Sequence, residues 1–111
     1  MQPESPAYLW DARQAARQIR DFIAGKSQAD YAEDALLRSG VERQFIIVGE
    51  AMNRLRKVDP DVAIQLTDLP QIVGFRNILV HGYAEVQNDR VWDTATRRLP
   101  DLIEVLDNLL A

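Results

Sequence analysis

The chain has no cysteine and one histidine, His81, among 111 residues. The first absence removes disulfides, thiolate nucleophiles and sulfur-ligated metal sites. With one imidazole, acid–base chemistry near neutral pH runs through His81, because no other unperturbed side chain titrates there. No window of eighteen apolar residues exists, so no membrane-spanning helix is expected. Residues 1–6 lack the basic and apolar regions of a secretory signal, and a cytoplasmic location is the expectation. Positive charge is scarce as well: the net charge is −4 and the isoelectric point about 4.9, which argues against broad attraction to nucleic acid. A basic cleft can still form locally, and Arg43, Arg54, Arg56, Lys57, Arg76, Arg97 and Arg98 are candidates for it, each of which also suits a solvated helix face. The carboxylates are scattered and no ligand cluster is legible, so neither metal nor cofactor is expected.

What is present is helical. A length of 111 residues, 47% hydrophobic and 27% charged, suits one soluble domain over residues 1–111. No period-two alternation and no internal repeat occurs. Ser5 reads as an N-cap before Pro6, and Tyr8, Ala12, Ala15, Ala16, Ile19, Phe22 and Ile23 keep helical phase to about residue 24. Arg13, Arg17 and Arg20, interleaved with Asp11 and Asp21, predict an outward, salt-bridged face. Ser27 can cap a short turn through Tyr31. Between residues 34 and 57, Leu37, Val41, Phe45, Val48, Met52 and Leu55 step by four, four, three, four, three. Ile46, Ile47 and Ala51 widen that stripe, so this helix is either central or shared with a partner subunit. Gly49 inside it costs about 1 kcal/mol relative to alanine, and close approach of a neighbouring helix is its expected use.

Asp59 caps a short helix through Leu66, and a further helix starts at Thr67 or Asp68 with Pro70 in its first turn. Gly82 suits its end, and residues 84–89 read as a polar loop. From Val91, the residues Trp92, Ala95, Leu99, Leu102, Leu106 and Leu109 hold one phase through Pro100, which predicts a single last helix kinked there. The expected fold is an all-α, up-and-down bundle of four main helices with extra short ones.

The fifth of these segments carries the chemistry. Leu69, Val73, Arg76, Val80 and Tyr83 share one stripe, so Arg76 falls at a core position and needs a partner, a phosphate or a wet cleft. Gly74, Asn77 and His81 form a second, small and polar row, the possible floor of a groove. A structural reading stands beside this one: His81 bonds the last carbonyls of its helix, and Arg76 pairs with a core carboxylate, for which Glu50 is the leading candidate.

Arg76, Asn77, His81 and Tyr83 fit the R-x4-H-x-Y pattern of HEPN-domain ribonucleases. The stretch Val41-Glu42-Arg43-Gln44-Phe45-Ile46-Ile47-Val48-Gly49-Glu50-Ala51 resembles the long helix of the HepT-like branch, and Val91-Trp92-Asp93 with Leu99-Pro100-Asp101-Leu102 resembles its last helix. The resemblance covers essentially the whole chain. It implies an endoribonuclease toxin of a toxin–antitoxin system, with Arg76 and His81 catalytic and Asn77, Tyr83 and Glu50 supporting. It also implies a homodimer with a composite cleft, an MntA-like nucleotidyltransferase antitoxin as partner, and Tyr83 as the residue that antitoxin adenylylates. Chemistry agrees with a dimer, since metal-independent RNA cleavage needs a base, an acid and a cation, and one histidine does not easily serve twice. The rival from another class is a non-catalytic partner or substrate-binding subunit of a nucleotidyltransferase. A purely structural helical dimer ranks third.

Overall fold

The structure is a computed structural model that describes residues 1–66, 68–82 and 86–111. Among the described residues the regular elements are helical: α1 (Ser5–Ile23), α2 (Gln28–Glu33), α3 (Ala35–Val58), α4 (Pro60–Ala63), α5 (Leu69–His81), α6 (Asn88–Asp93) and α7 (Leu99–Leu110). A π-helical turn, Thr94–Arg98, joins the last two into one run. The expected all-α architecture is therefore observed. The long helix α3 is central, packed against α1 and α5, while α7 packs against α1.

Local sequence explains most of the boundaries. Ser27 and Asp30 form a reciprocal capping box at α2, which extends to Glu33, two residues beyond the expected turn. Asp34 accepts from the Leu37 N–H and starts α3; Asp59 accepts from the Val62 N–H and starts α4. The core follows from the α3 stripe, with Val41, Phe45, Val48, Ala51, Met52 and Leu55 buried against Leu9, Ala12, Ala16 and Ile19 of α1. Each large aliphatic or aromatic side chain so buried contributes about 1.5–3 kcal/mol. Tyr31 docks α2, its ring tilted at 42° against Trp92 with centroids 5.7 Å apart.

Several expectations are corrected. Ser5 is not the N-cap of α1, a position held by Glu4; it is the first helical residue, and its buried hydroxyl donates to Asp59 Oδ2 at 2.6 Å. That bond crosses 54 positions of sequence, so local capping rules cannot anticipate it. Phe22 lies 37% exposed near the end of α1 rather than in the core. Arg13 and Arg17 pair across the bundle with Asp107 of α7, at 3.5 and 2.8 Å, instead of with acids of their own helix. Asn88 and Asp89 begin α6 and so leave the expected loop, of which Ala84 and Glu85 lie outside the described residues, as does Thr67.

The last helix passes Pro100 by a route periodicity did not specify. Proline offers no N–H to the carbonyl four residues back, and its ring crowds that carbonyl. Just ahead of it the helix widens, and the Leu99 N–H bonds to the Thr94 carbonyl, five residues back. The Thr94 and Thr96 hydroxyls donate to the Arg90 and Trp92 carbonyls, both at 2.8 Å.

Candidate active site

Arg76 is fixed at its root by a glycine. Gly49 of α3 lies against it so closely that a Cβ there would meet Arg76 Cγ at 2.7 Å and crowd Arg76 Cβ harder still. The close approach expected of Gly49 is thus an approach to Arg76 itself. The guanidinium then divides its donors. Nη2 points to Glu50 Oε1 at 3.4 Å, Nη1 donates to Asn77 Oδ1 at 2.9 Å, and Nε is buried with no hydrogen-bond partner among the described residues. The Arg76 side chain is 23% exposed and that of Glu50 42%, so the pair opens to solvent.

His81 occupies the last turn of α5 and is exposed. Its imidazole makes no hydrogen bond among the described residues, so it does not bond the last carbonyls of its helix as the structural reading had it; one of them, that of Ile78, accepts from the Gly82 N–H at 2.8 Å. Gly74 and Asn77 are exposed beside it, and a Cβ on Gly74 would meet nothing. The polar row is therefore a solvent-facing surface. Tyr83 lies outside the described residues.

The stripe through Arg76 needs revision. Leu69 and Val73 are buried, but Val80 is 37% exposed, and Phe75 and Leu79 take the inward positions. Phe75 meets Phe45 edge-on, with centroids 5.2 Å apart and an interplanar angle of 85°, which commits this side of α5 to the core. Val80, about 100° round the helix from Leu79, is turned outward as a result. Sequence reasoning did not place Phe75 in the core or Gly49 at the site; a glycine next to Glu50 in mid-helix was the available signal for the latter.

Arg97 and Arg98, two of the candidate bases, have other places. Arg97 pairs with Asp93 at 3.0 Å. Arg98 lines a cavity of about 180 Å3 with Phe45, Gln71 and Phe75, bounded by α3, α5 and the last helical run. The α5 residues of that cavity lie on a different side of the helix from Asn77 and His81. Within one chain Arg76 and His81 are themselves separated, since five residues rise about 7.5 Å and turn about 140°.

An all-helical fold, with an arginine and a histidine five residues apart on the helix that packs on the long central one, agrees with the resemblance to HEPN domains. Residues 12–109 match the model of the Ribonuclease HepT-like family, and the chain belongs to that family. Over 106 residues it is 23% identical to "Putative RNase MJ1216" of Methanocaldococcus jannaschii, spanning 94% of this chain and 85% of the relative. Identity to "Putative RNase TTE0752" of Caldanaerobacter subterraneus subsp. tengcongensis is 27% over 105 residues, or 93% and 91% of the two chains. "Putative RNase MJ1380" of Methanocaldococcus jannaschii is 26% identical over 98 residues, 86% of this chain and 87% of the relative. No solved structure gives a significant match. Among the described residues no helix is long and apolar enough to cross a membrane.

Proposed function

We propose that the protein is a metal-independent endoribonuclease toxin, cutting RNA at a cleft that two copies of the chain build together. The observation that carries this reading is the state of Arg76: anchored at its root by Gly49, aimed by Glu50 and Asn77, and 23% exposed, with a second N–H on each terminal nitrogen beyond the one that those partners take. A cation so held is suited to the crowded oxygens of a phosphate in its pentavalent state, by charge-assisted hydrogen bonds.

In the reaction the ribose 2′-oxygen attacks phosphorus and gives its proton to a base. The bond to the 5′-oxygen breaks, and an acid protonates that leaving oxygen. Exposed His81 serves these proton transfers, one copy as base and the other as acid. The separation of Arg76 and His81 around α5 supports a two-fold arrangement in which each chain completes the other's cleft. Asn77 holds the guanidinium in place. RNase names among the relatives support the substrate class.

The same reading assigns silencing to an MntA-like nucleotidyltransferase antitoxin that adenylylates Tyr83. Added phosphate two residues from His81 would repel an RNA backbone. A cytoplasmic location follows from such a role.

The test is cleavage of total RNA by wild-type protein, with EDTA present and Tyr83 shown by mass to be unmodified. Arg76→Ala and His81→Ala are assayed beside it, after circular dichroism and sedimentation. Loss of cleavage by at least about 100-fold in folded, dimeric variants is expected for a missing acid–base group. Inert unmodified wild type would sink the reading and leave the non-catalytic partner subunit in its place.

A further inference from the structure

Trp10 has no part in the chemistry above, yet it is 49% exposed on α1. It borders a groove of about 270 Å3 between α1 and α3, with Gln14 and Gln18 on the same helix and Gln44 and Ile47 opposite. Among the described residues none of the three glutamine amides makes a side-chain hydrogen bond, although each carries both donors and an acceptor. We infer that this groove binds one unpaired nucleobase of the RNA, stacked on Trp10 and read along its edge by Gln14, Gln18 and Gln44. The substrate is then single-stranded beside the cut. This rests on the ribonuclease reading.

Three observations favour a base over other occupants. An indole face with adjacent amides is the combination that recognises an extruded base, whose two faces are apolar and whose edges donate and accept. The one charged residue in the groove is Asp11, which repels phosphate and accepts from an exocyclic amino group. Position agrees as well. Ile47 and Gln44 precede Gly49, which anchors Arg76, by two and five residues, about 3 and 7.5 Å along the axis of α3. The groove is therefore level with Arg76 and about one helix diameter across, roughly 10 Å.

The ridge between the two places is suited to the backbone. Arg43, Ile47, Glu50 and Arg54 recur at helical spacing on the outward stripe of α3. Arg43 and Arg54 are exposed and make no ion pair among the described residues. An extended strand crossing this ridge finds cations for its phosphates and a stacking surface for a base a short way from the cut.

The experiment uses the full chain carrying His81→Ala, which spares the RNA, and Trp92→Phe, which leaves Trp10 as the one tryptophan, excited selectively over the three tyrosines. A short single-stranded oligoribonucleotide of mixed sequence is added, then the same sequence as a duplex, with binding followed independently by polarisation. Quenching of Trp10 emission by the single strand and not by the duplex is expected. Trp10→Ala should weaken single-strand affinity roughly tenfold, with Trp10→Phe recovering part of it and Gln18→Leu losing base preference. Binding without quenching, equal quenching by duplex, or an unaltered Trp10→Ala would overturn the inference while wild-type cleavage still stood. If wild type neither binds nor cuts RNA, the ribonuclease reading fails and this inference falls with it.

Discussion

At the scale of the residue, Gly49 and Arg76 form one unit. A glycine inside α3 forgoes about 1 kcal/mol of helix propensity, so Gly49→Ala would stabilise an isolated helix. Here the added methyl meets Arg76 Cβ and Cγ at the base of the side chain, where no rotation relieves the clash. Gly49→Ala is expected to lower stability by about 1–3 kcal/mol through overpacking, despite the propensity gain. Because it displaces the guanidinium, it should also cut activity more than its effect on Tm explains. Thermal melts and cleavage rates at a temperature where both proteins are folded separate the two effects. The Arg76–Glu50 pair was legible in the sequence, since a cation at a core phase demands an acid nearby. The Gly49–Arg76 contact was only half legible. Close approach follows from a mid-helix glycine, but which residue approaches depends on how two helices cross.

Among the elements, α2 shows how a short helix is held. Six residues cannot sustain a helix alone, and this one is retained by its capping box and by fully buried Tyr31. Burial, with the Glu42 charge adding to it and Arg38 opposing, raises the Tyr31 phenol above its ordinary range, so it stays neutral throughout the working pH range. Its hydroxyl is buried without a partner among the described residues, and an unsatisfied buried hydroxyl costs about 1–3 kcal/mol. Tyr31→Phe is thus expected to keep or raise the Tm, whereas Tyr31→Ala should cost about 3–5 kcal/mol by opening a cavity beside Trp92. A melt of both variants decides it, and a large loss in Tyr31→Phe would show that the hydroxyl is satisfied after all. From sequence, the Ser27 cap was visible and the docking role of Tyr31 was not. No periodicity exists in six residues to mark an inward face.

For the molecule as a whole, Asp59 ties the first residues of the chain to the junction of α3 and α4. It accepts from the Ser5 hydroxyl at 2.6 Å, the Gln2 N–H at 2.8 Å and the Val62 N–H at 3.3 Å. These bonds, the Ser5 hydroxyl foremost, hold its carboxyl below the ordinary value of 3.8. A carboxyl depressed in the folded state adds stability that is complete above its unfolded value and is lost as pH falls through the folded one. Wild type should therefore lose Tm steadily below about pH 4. Asp59→Asn should start lower at pH 7 and show a flatter acid limb, and parallel curves for the two proteins would refute the assignment. The all-α class and the helix order were readable because apolar spacing repeats over whole helices. Pairings between remote elements, Ser5 with Asp59 or Arg17 with Asp107, were not, because nothing local encodes them.

The widened turn at Thr94–Arg98 bears on how this chain tolerates change. Val91, Ala95, Leu99 and Ile103 all point inward at steps of four, a spacing that drifts round an ordinary α-helix and is straightened where the turn takes up one residue more. Chain length is therefore negotiable at this one place inside a core element. Removing exposed Thr96 would close the turn to ordinary helical bonding while leaving both flanking faces directed at the core. In a family whose members diverge this far in sequence, the segment before Pro100 is where a single-residue gap can arise without redesign of the bundle.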